Sequence, residues 1–343
     1  MDKPWILERQ LDELKEELRD SGFPGFAGRQ VFQWVYHKNN QDVVSWSNIA
    51  RTNREKLAGL YDWETRPILE KQDDGRGTRK LLIGLADGLR IETVLIPEKD
   101  HYTFCLSSQA GCPLACAFCA TGAMGFHRNL TAGEIVTQVL TLKKEISDYA
   151  GKLNLVFMGM GEPLLNYDSL ARALRIITDA DGLNISPRHV TVSTAGILEN
   201  LKKLETDFPL VKIAFSMNAP DPLLRAELMP VSRRESLDSL LAWFREHKRR
   251  QRITFEYVLL HGVNDSPAQA RQLAKRLHGI PAKVNLIPYN ATPRLPFRRP
   301  AEIDVEKFRA VLLDMGMTVI TRWSKGQEIR SACGQLAVLS GNT

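Results

Sequence analysis

The chain is 343 residues long, more than one hydrophobic core usually spans, so one large catalytic-sized domain with a smaller appendage is expected. Its 43% hydrophobic and 25% charged residues are ordinary for a globular protein, and no apolar run approaches the ~18 residues of a membrane span. The start, Met1-Asp2-Lys3-Pro4-Trp5, lacks the basic-then-apolar build of a signal peptide, which makes the cytoplasm the expected compartment, and the excess of 46 Lys and Arg over 40 Asp and Glu permits a polyanionic partner without demanding one.

Residues 1–65 read as a small helical domain. Leu7, Leu11, Leu14 and Leu18 recur at helical spacing and form one apolar face. Gly25 and Gly28 break that pattern, an amphipathic stretch follows from Arg29 to Tyr36, and another runs from Asn53 to Leu60. Arg29, Phe32, Trp34, Tyr36 and Lys38 suit either a helical cap on the main domain or an RNA-contacting module.

Residues 66–100 should form a bridge between domains. Within it, Lys80–Leu85 and Leu89–Ile96 flank Asp87-Gly88, a strong signal for a β-hairpin.

Residues 101–343 alternate strand-like and helical runs. Strands are expected at 101–107, 153–158, 189–193, 211–216, 253–259 and 283–288. Helices are expected at 131–146, 167–178, 197–205, 235–250, 266–277 and 304–315. Six β/α units in series imply a parallel sheet covered by helices. They fall short of a closed eight-stranded barrel, so a partial, open (β/α)6 barrel is expected. Two basic clusters lie in this part: Arg245, Lys248, Arg249, Arg250 and Arg252, then Arg294, Arg298 and Arg299. Either is solvated surface or a contact for phosphates.

In parallel α/β folds, function gathers on the loops after the strands. The distinctive residues fall there: Cys112 to Cys119, Met158-Gly159-Met160-Gly161-Glu162-Pro163, Ser193-Thr194-Ala195-Gly196, Ser216-Met217-Asn218 and Pro288-Tyr289-Asn290. Cys112, Cys116 and Cys119 are spaced Cys-x3-Cys-x2-Cys. Thiolates bind zinc or the irons of a cluster. Structural zinc wants four closed ligands, and no histidine is placed to complete this set. Three thiolates on a [4Fe–4S] cubane leave one iron free to chelate S-adenosylmethionine (SAM). That spacing, after the first strand of a β/α series, is the radical-SAM signature. Zinc or inert buried thiols are the competing readings.

Gly159-x-Gly161-Glu162 is not a dinucleotide fingerprint, because the third glycine and the helix-opening context are missing. A glycine pair followed by a carboxylate suits a ligand with a positive amino group. Cys105, within the first strand, and Cys333, before Gly334, read either as small buried residues or as reactive thiols.

With these residues assembled, the chain resembles the radical-SAM adenine methyltransferases of ribosomal RNA (the RlmN/Cfr family). The resemblance covers nearly the whole chain. It rests on Gln30–Tyr36, Asp87–Val94, Cys105–Cys112, Arg128-Asn129-Leu130-Thr131, Gly159–Pro163 and Ala332–Leu336. It implies a [4Fe–4S] cluster on Cys112, Cys116 and Cys119, with two SAM molecules consumed per turnover. It implies that Cys333 becomes S-methylated by one SAM, and that a 5′-deoxyadenosyl radical from the second takes hydrogen from that methyl group. The carbon then bonds adenine, Cys105 resolves the link through a transient disulfide, and Glu92 accepts the proton from the adenine carbon. SAM contacts carry over to Gly161, Glu162, Ser193, Ser216 and Asn290. Met217 and Asn218 occupy the same SAM-binding stretch, where the family often has Leu and His. Asn cannot titrate near neutral pH, which puts a proton-transfer role there in doubt.

The implied substrates are 23S rRNA and tRNA, with a one-electron donor such as flavodoxin or ferredoxin and no membrane. Pro163 points to methylation of adenine C2, since C8-methylating relatives carry Ala there. A zinc-stabilised, non-catalytic RNA-binding module would explain the cysteines and basic patches but not the SAM-like loops. A radical-SAM enzyme for a small metabolite would leave the basic N-terminal domain without a purpose.

Overall fold

The computed structural model describes residues 3–146, 149–247, 252–292 and 295–338. The N-terminal part is helical: α1 (Leu11–Asp20), α2 (Ala27–Phe32) and α3 (Arg51–Leu60). Leu14 and Leu18 bury the apolar face of α1. Leu7 does not continue that face, because it belongs to a separate 3-10 turn, Ile6–Glu8. Phe32 and Tyr36 are buried, and the Tyr36 hydroxyl donates to the carbonyls of Ile6 and Arg9. They are core residues, which leaves Arg29, Trp34 and Lys38 at the surface of this part.

One sheet runs through the rest. Its strands are β1 (Ile68–Asp73), β2 (Arg79–Gly84), β3 (Arg90–Pro97), β4 (His101–Cys105), β7 (Lys152–Phe157), β8 (Val190–Thr194), β9 (Lys212–Ser216), β10 (Ile253–Leu259), β11 (Ala282–Pro288) and β12 (Val319–Thr321), in that spatial order. Two short strands, β5 (Gln109–Gly111) and β6 (Phe126–Asn129), pair separately. The hairpin around Asp87-Gly88 is β2–β3, and β1 adds to it in antiparallel register. From β4 onward every neighbour is parallel. The six anticipated strands are β4 and β7 to β11, and β12 adds a seventh that sequence periodicity did not signal.

The helices after these strands are α4 (Ala120–Ala123), α5 (Ala132–Lys144), α6 (Tyr167–Thr178), α7 (Leu198–Asp207), α8 (Pro222–Leu228), α9 (Leu237–Glu246), α10 (Pro267–Leu277) and α11 (Glu302–Asp314). Side chains set their starts. Thr131 and Glu134 form a capping box on α5, and Ser266 and Gln269 form one on α10. The sheet curls into an open barrel. Just past β12, Lys325 reaches back to the Pro97 carbonyl and pairs with Glu98 at 2.8 Å, and Arg322 lies against the Met158 sulfur beyond β7.

The core is continuous from Ile6 in the helical part, through the sheet, to Leu336. The two parts are also clamped by polar contacts. Arg172 on α6 holds Glu13 on α1 with two bonds of 2.8 and 2.9 Å, a bidentate geometry that fixes direction as well as distance. A second, smaller apolar cluster lies at the mouth of the barrel and includes Cys112, Leu114, Phe118, Leu228, Met229, Leu260 and Tyr289.

Candidate active site

The loops singled out in the sequence converge at the carboxyl ends of the parallel strands. The cysteine loop leaves the short strand β5 and is held by backbone bonds that include Cys112 N–H to Gly125 O, Ala117 N–H to Leu228 O, Cys119 N–H to Cys116 O and Ala120 N–H to Gly334 O. Ala115 takes a left-handed φ of 49°, a local strain that turns the chain between Cys112 and Cys116. The three thiols act electrostatically on one another. Burial pushes the Cys112 thiol up to about 12 and the Cys116 thiol well above its ordinary range.

These thiols fit an iron–sulfur cluster. They line an apolar cup, where burial holds the Cys112 and Cys116 thiols protonated when bare, so a cationic metal core is what would draw out their thiolates. Among the described residues no three His, Cys, Asp or Glu side chains are gathered closely enough for a single ion. A cubane takes each thiolate on a different iron and needs a wider triangle.

Beside this cup, Gly161 has φ 100°, and a Cβ there would stand 2.5 Å from the Gln109 Cβ. Only glycine lets the loop lie this close. Gln109 closes the turn by accepting the Glu162 N–H at 2.8 Å. Glu162 is buried and accepts from Leu164 N–H at 3.1 Å and Ala195 N–H at 2.8 Å. Burial pushes its carboxyl up to about 7. The Thr194 side chain is a third donor, and because a carboxylate offers about four acceptor sites, Glu162 can still receive an ammonium group.

Ser193 and Ser216 lie at the ends of β8 and β9, both half-buried. Met217 is fully buried. Asn218 adopts a left-handed φ of 53°, and its side chain is engaged at both ends, accepting from Val258 N–H at 2.9 Å and donating to the Met229 sulfur at 3.2 Å. Asn290 donates to Ser324 Oγ and to the Cys333 carbonyl, while its buried Oδ1 has no partner. An orphaned buried acceptor marks a place for a ligand donor.

The C-terminal segment lies across this mouth. Thr121 Oγ1 donates to Leu336 O at 2.6 Å, Gln335 Nε2 to Ala291 O at 2.9 Å and Ala337 N–H to Glu92 Oε2 at 2.9 Å. These contacts bring Cys333, Glu92 and the cysteine loop together. Cys105, at the end of β4, is buried and its thiol is pushed up to about 12, first by burial and then by the charge of Cys333 nearby. The other oxygen of Glu92 pairs with Lys80 Nζ at 2.8 Å. Burial raises the Glu92 carboxyl and Lys80 opposes that shift.

Several charged residues here carried no sequence signal. Arg322 faces Cys333, Glu256 and Cys105. Glu256 on β10 is buried, with Oε2 unpartnered. Lys80 and Arg225 are buried as well. Each stands in a stretch whose pattern also fits a surface side chain.

The chain matches two family models. Residues 106–274 match the radical SAM superfamily, and residues 6–61 match the ribosomal RNA large subunit methyltransferase N-terminal domain. A dual-specificity RNA methyltransferase RlmN of Syntrophobacter fumaroxidans is 44% identical, aligned over 99% of this chain and 100% of that protein. The chain belongs to the RlmN family of radical-SAM methyltransferases. A probable RlmN of Aquifex aeolicus is 41% identical, with 97% of each chain covered. The crystal structure of a radical SAM methyltransferase from Sphaerobacter thermophilus superposes with a TM-score of 0.93 at 40% identity, covering 97% of this chain and 99% of that one. RlmN membership accounts for the open barrel, the helical N-terminal part and the loops that crowd its mouth. It sets aside both the zinc-only RNA-binding module and the small-metabolite enzyme.

Proposed function

We propose that this chain methylates C2 of one adenine in 23S rRNA and of one adenine in a subset of tRNAs, with Cys333 carrying the methyl group. The observation that carries this reading is the strap of the C-terminal segment, which pins Cys333 between the cysteine loop and Glu92. When bound at Cys112, Cys116 and Cys119, a [4Fe–4S] cluster would supply the electron that splits SAM into methionine and a 5′-deoxyadenosyl radical.

The side chains do the rest. Gly161, Glu162, Ser193, Ser216 and Asn290, along the stretch that includes Met217 and Asn218, bind and orient SAM. Cys333 takes a methyl group from one SAM molecule, and hydrogen is drawn from that methyl after a second is cleaved. The Cys333 methylene carbon bonds adenine C2, a position too electron-poor for direct attack on a sulfonium methyl. Glu92 takes the proton from that carbon, and Lys80 holds the carboxylate in place for it. Once the adduct has given up its odd electron to a cluster on the three cysteines, Cys105 attacks the Cys333 sulfur as a thiolate. The carbon–sulfur bond breaks and the freed carbon takes a proton to become the product methyl, leaving a disulfide that a two-electron reductant reopens. The target adenine is unstacked to bring its C2 edge to Cys333.

Pro163 after Glu162 favours C2 over C8. We assign the one-electron donor to the flavodoxin or ferredoxin class and the working compartment to the cytoplasm. No described helix is long and apolar enough to cross a membrane. The helical residues 1–65 are assigned to RNA contact, residues 66–100 to the bridge and residues 101–343 to catalysis.

The test is nucleoside mass spectrometry of rRNA and tRNA after incubation with reconstituted enzyme, SAM and reductant. 2-Methyladenine should appear in both RNAs, and 8-methyladenine in neither. Cys105→Ala should accumulate a denaturant-stable protein–RNA adduct through Cys333, whereas Cys333→Ala should retain its iron and form neither adduct nor product. A Cys105→Ala enzyme that turns over freely would sink the resolving role.

A further inference from the structure

Arg225, on α8, is fully buried and has no part in the reading above. Its guanidinium donates to Ala195 O at 2.8 Å, Ser216 O at 2.9 Å, Met217 O at 3.1 Å and to Ser232 Oγ. All four acceptors are neutral. Burial pulls its basicity down, and among the described residues the ionisable group that opposes this is the Cys116 thiol. A buried cation without an anionic partner is costly, so a compensating negative charge belongs nearby. A [4Fe–4S] core held by three thiolates carries a net negative charge, and one more electron increases it.

The helix that carries Arg225 also touches the cysteine loop, through Ala117 N–H donating to Leu228 O at 2.9 Å. The carbonyls that Arg225 binds belong to the exits of β8 and β9, beside Ser193 and Ser216. One short helix therefore joins the cysteine loop to two of the strand ends assigned to SAM.

We propose that Arg225 is a positioning residue with two tasks: it is the resident counter-charge of a cluster on the cysteine loop, and it fixes the ends of β8 and β9 against which SAM is held. This rests on the cluster assignment made above. Positive charge beside the cluster makes reduction easier, and the fixed carbonyls keep the SAM loops in register.

The two tasks separate by substitution. Arg225→Lys keeps the charge and loses most of the fork of bonds. Arg225→Gln loses both. Ser232→Asp keeps the guanidinium and its carbonyl bonds but gives it an anionic partner. The anaerobically reconstituted proteins are compared without RNA by iron and sulfide content, midpoint potential and the dissociation constant for SAM. Arg225→Gln should show a more negative potential and SAM binding weakened about tenfold, the scale of losing buried bonds from a charged donor. Arg225→Lys should restore the potential but not the affinity. Ser232→Asp should lower the potential and leave the affinity unchanged, and it decides the first task if Arg225→Gln does not fold. A Ser232→Asp potential equal to wild type overturns the counter-charge, and wild-type SAM affinity in Arg225→Lys overturns the loop-fixing task. Wild-type protein that takes up no iron would instead refute the cluster assignment itself.

Discussion

As the proposed partner of the SAM ammonium, Glu162 answers to two opposed electrostatic demands. Burial pushes its carboxyl up to about 7, while an ammonium ligand needs it ionised. SAM binding should therefore weaken as pH falls from about 8 to about 6, with a proton released on binding at the lower pH. Glu162→Gln should bind weakly and lose that pH dependence, as read by equilibrium binding; a wild-type pH profile in the variant would remove Glu162 from the SAM site. The stability sign is opposite. Without ligand, the contribution of this group is fully present below its ordinary value of 4.5 and is lost as pH rises toward about 7. The Lys80–Glu92 pair gives a second prediction. Both side chains are nearly buried, 10% and 6% exposed, so Lys80→Met strands a carboxylate and should cost about 3–5 kcal/mol in denaturant unfolding. Adding Glu92→Gln should recover part of that loss, and a cost below about 1 kcal/mol, the scale of a surface pair, would contradict the burial argument. The sequence singled out Cys112, Cys116, Cys119, Gly161 and Glu162 as candidates because their spacing is itself the signal. It did not announce Lys80, Arg225, Glu256 or Arg322, whose burial is decided by remote segments. Arg225, in Pro222-Leu-Leu-Arg, reads locally as the solvent side of a short helix.

The packing of α2 on α1 turns on a missing side chain. A Cβ on Gly28 would stand 2.7 Å from the Lys15 Cα and 2.8 Å from its backbone nitrogen. Neither backbone atom can swing aside, so Gly28→Ala should force the helices apart and destabilise the fold by about 1–3 kcal/mol, the scale of overpacking. Thermal unfolding checks this, and an unchanged midpoint would mean that the helices slide at no cost. Elements with a clear period were legible in advance: α6 spans the anticipated 167–178, and β10 the anticipated 253–259. The anticipated 235–250 helix is α9, whose described helical turns end at Glu246; residues 248–251 lie outside the described residues. The strands that went unseen lack such a period. β1 is almost wholly exposed, so nothing makes its side chains alternate. β12 is three residues long. β5 and β6 hold Gln109-Ala-Gly and Phe126-His-Arg-Asn, whose pairing supports the cysteine loop and buries little of β6.

Across the whole molecule, topology separates two basic clusters that look equivalent in the sequence. Arg252 immediately precedes β10, and Arg245 near the end of α9 donates to the carbonyls of Arg276 and His278 at the end of α10. Both belong to the end of the barrel opposite the cysteine loop. Lys248, Arg249 and Arg250 lie outside the described residues, as does Arg294. Arg298 and Arg299 follow β11, on the side of the mouth. The His261 N–H donates to the Arg298 carbonyl, and Arg299 stacks on Trp323 and donates to Gln327, which places this stretch beside the C-terminal strap. If Cys333 carries the methyl group as proposed, RNA that delivers an adenine to it must pass the mouth, and its phosphates are expected to meet Arg298 and Arg299 rather than Arg245 and Arg252. Each phosphate neutralised releases counterions, and the logarithm of affinity falls with the logarithm of salt by roughly one unit of slope per contact. Arg298→Ala combined with Arg299→Ala should weaken RNA binding and flatten that slope by about two. Arg245→Ala combined with Arg252→Ala should leave the slope where it was. Affinity measured across a salt series for both double variants decides the matter: a flattened slope in the Arg245 and Arg252 variant, with none in the other, would place the RNA on the far end of the barrel and leave Cys333 without a route to its adenine.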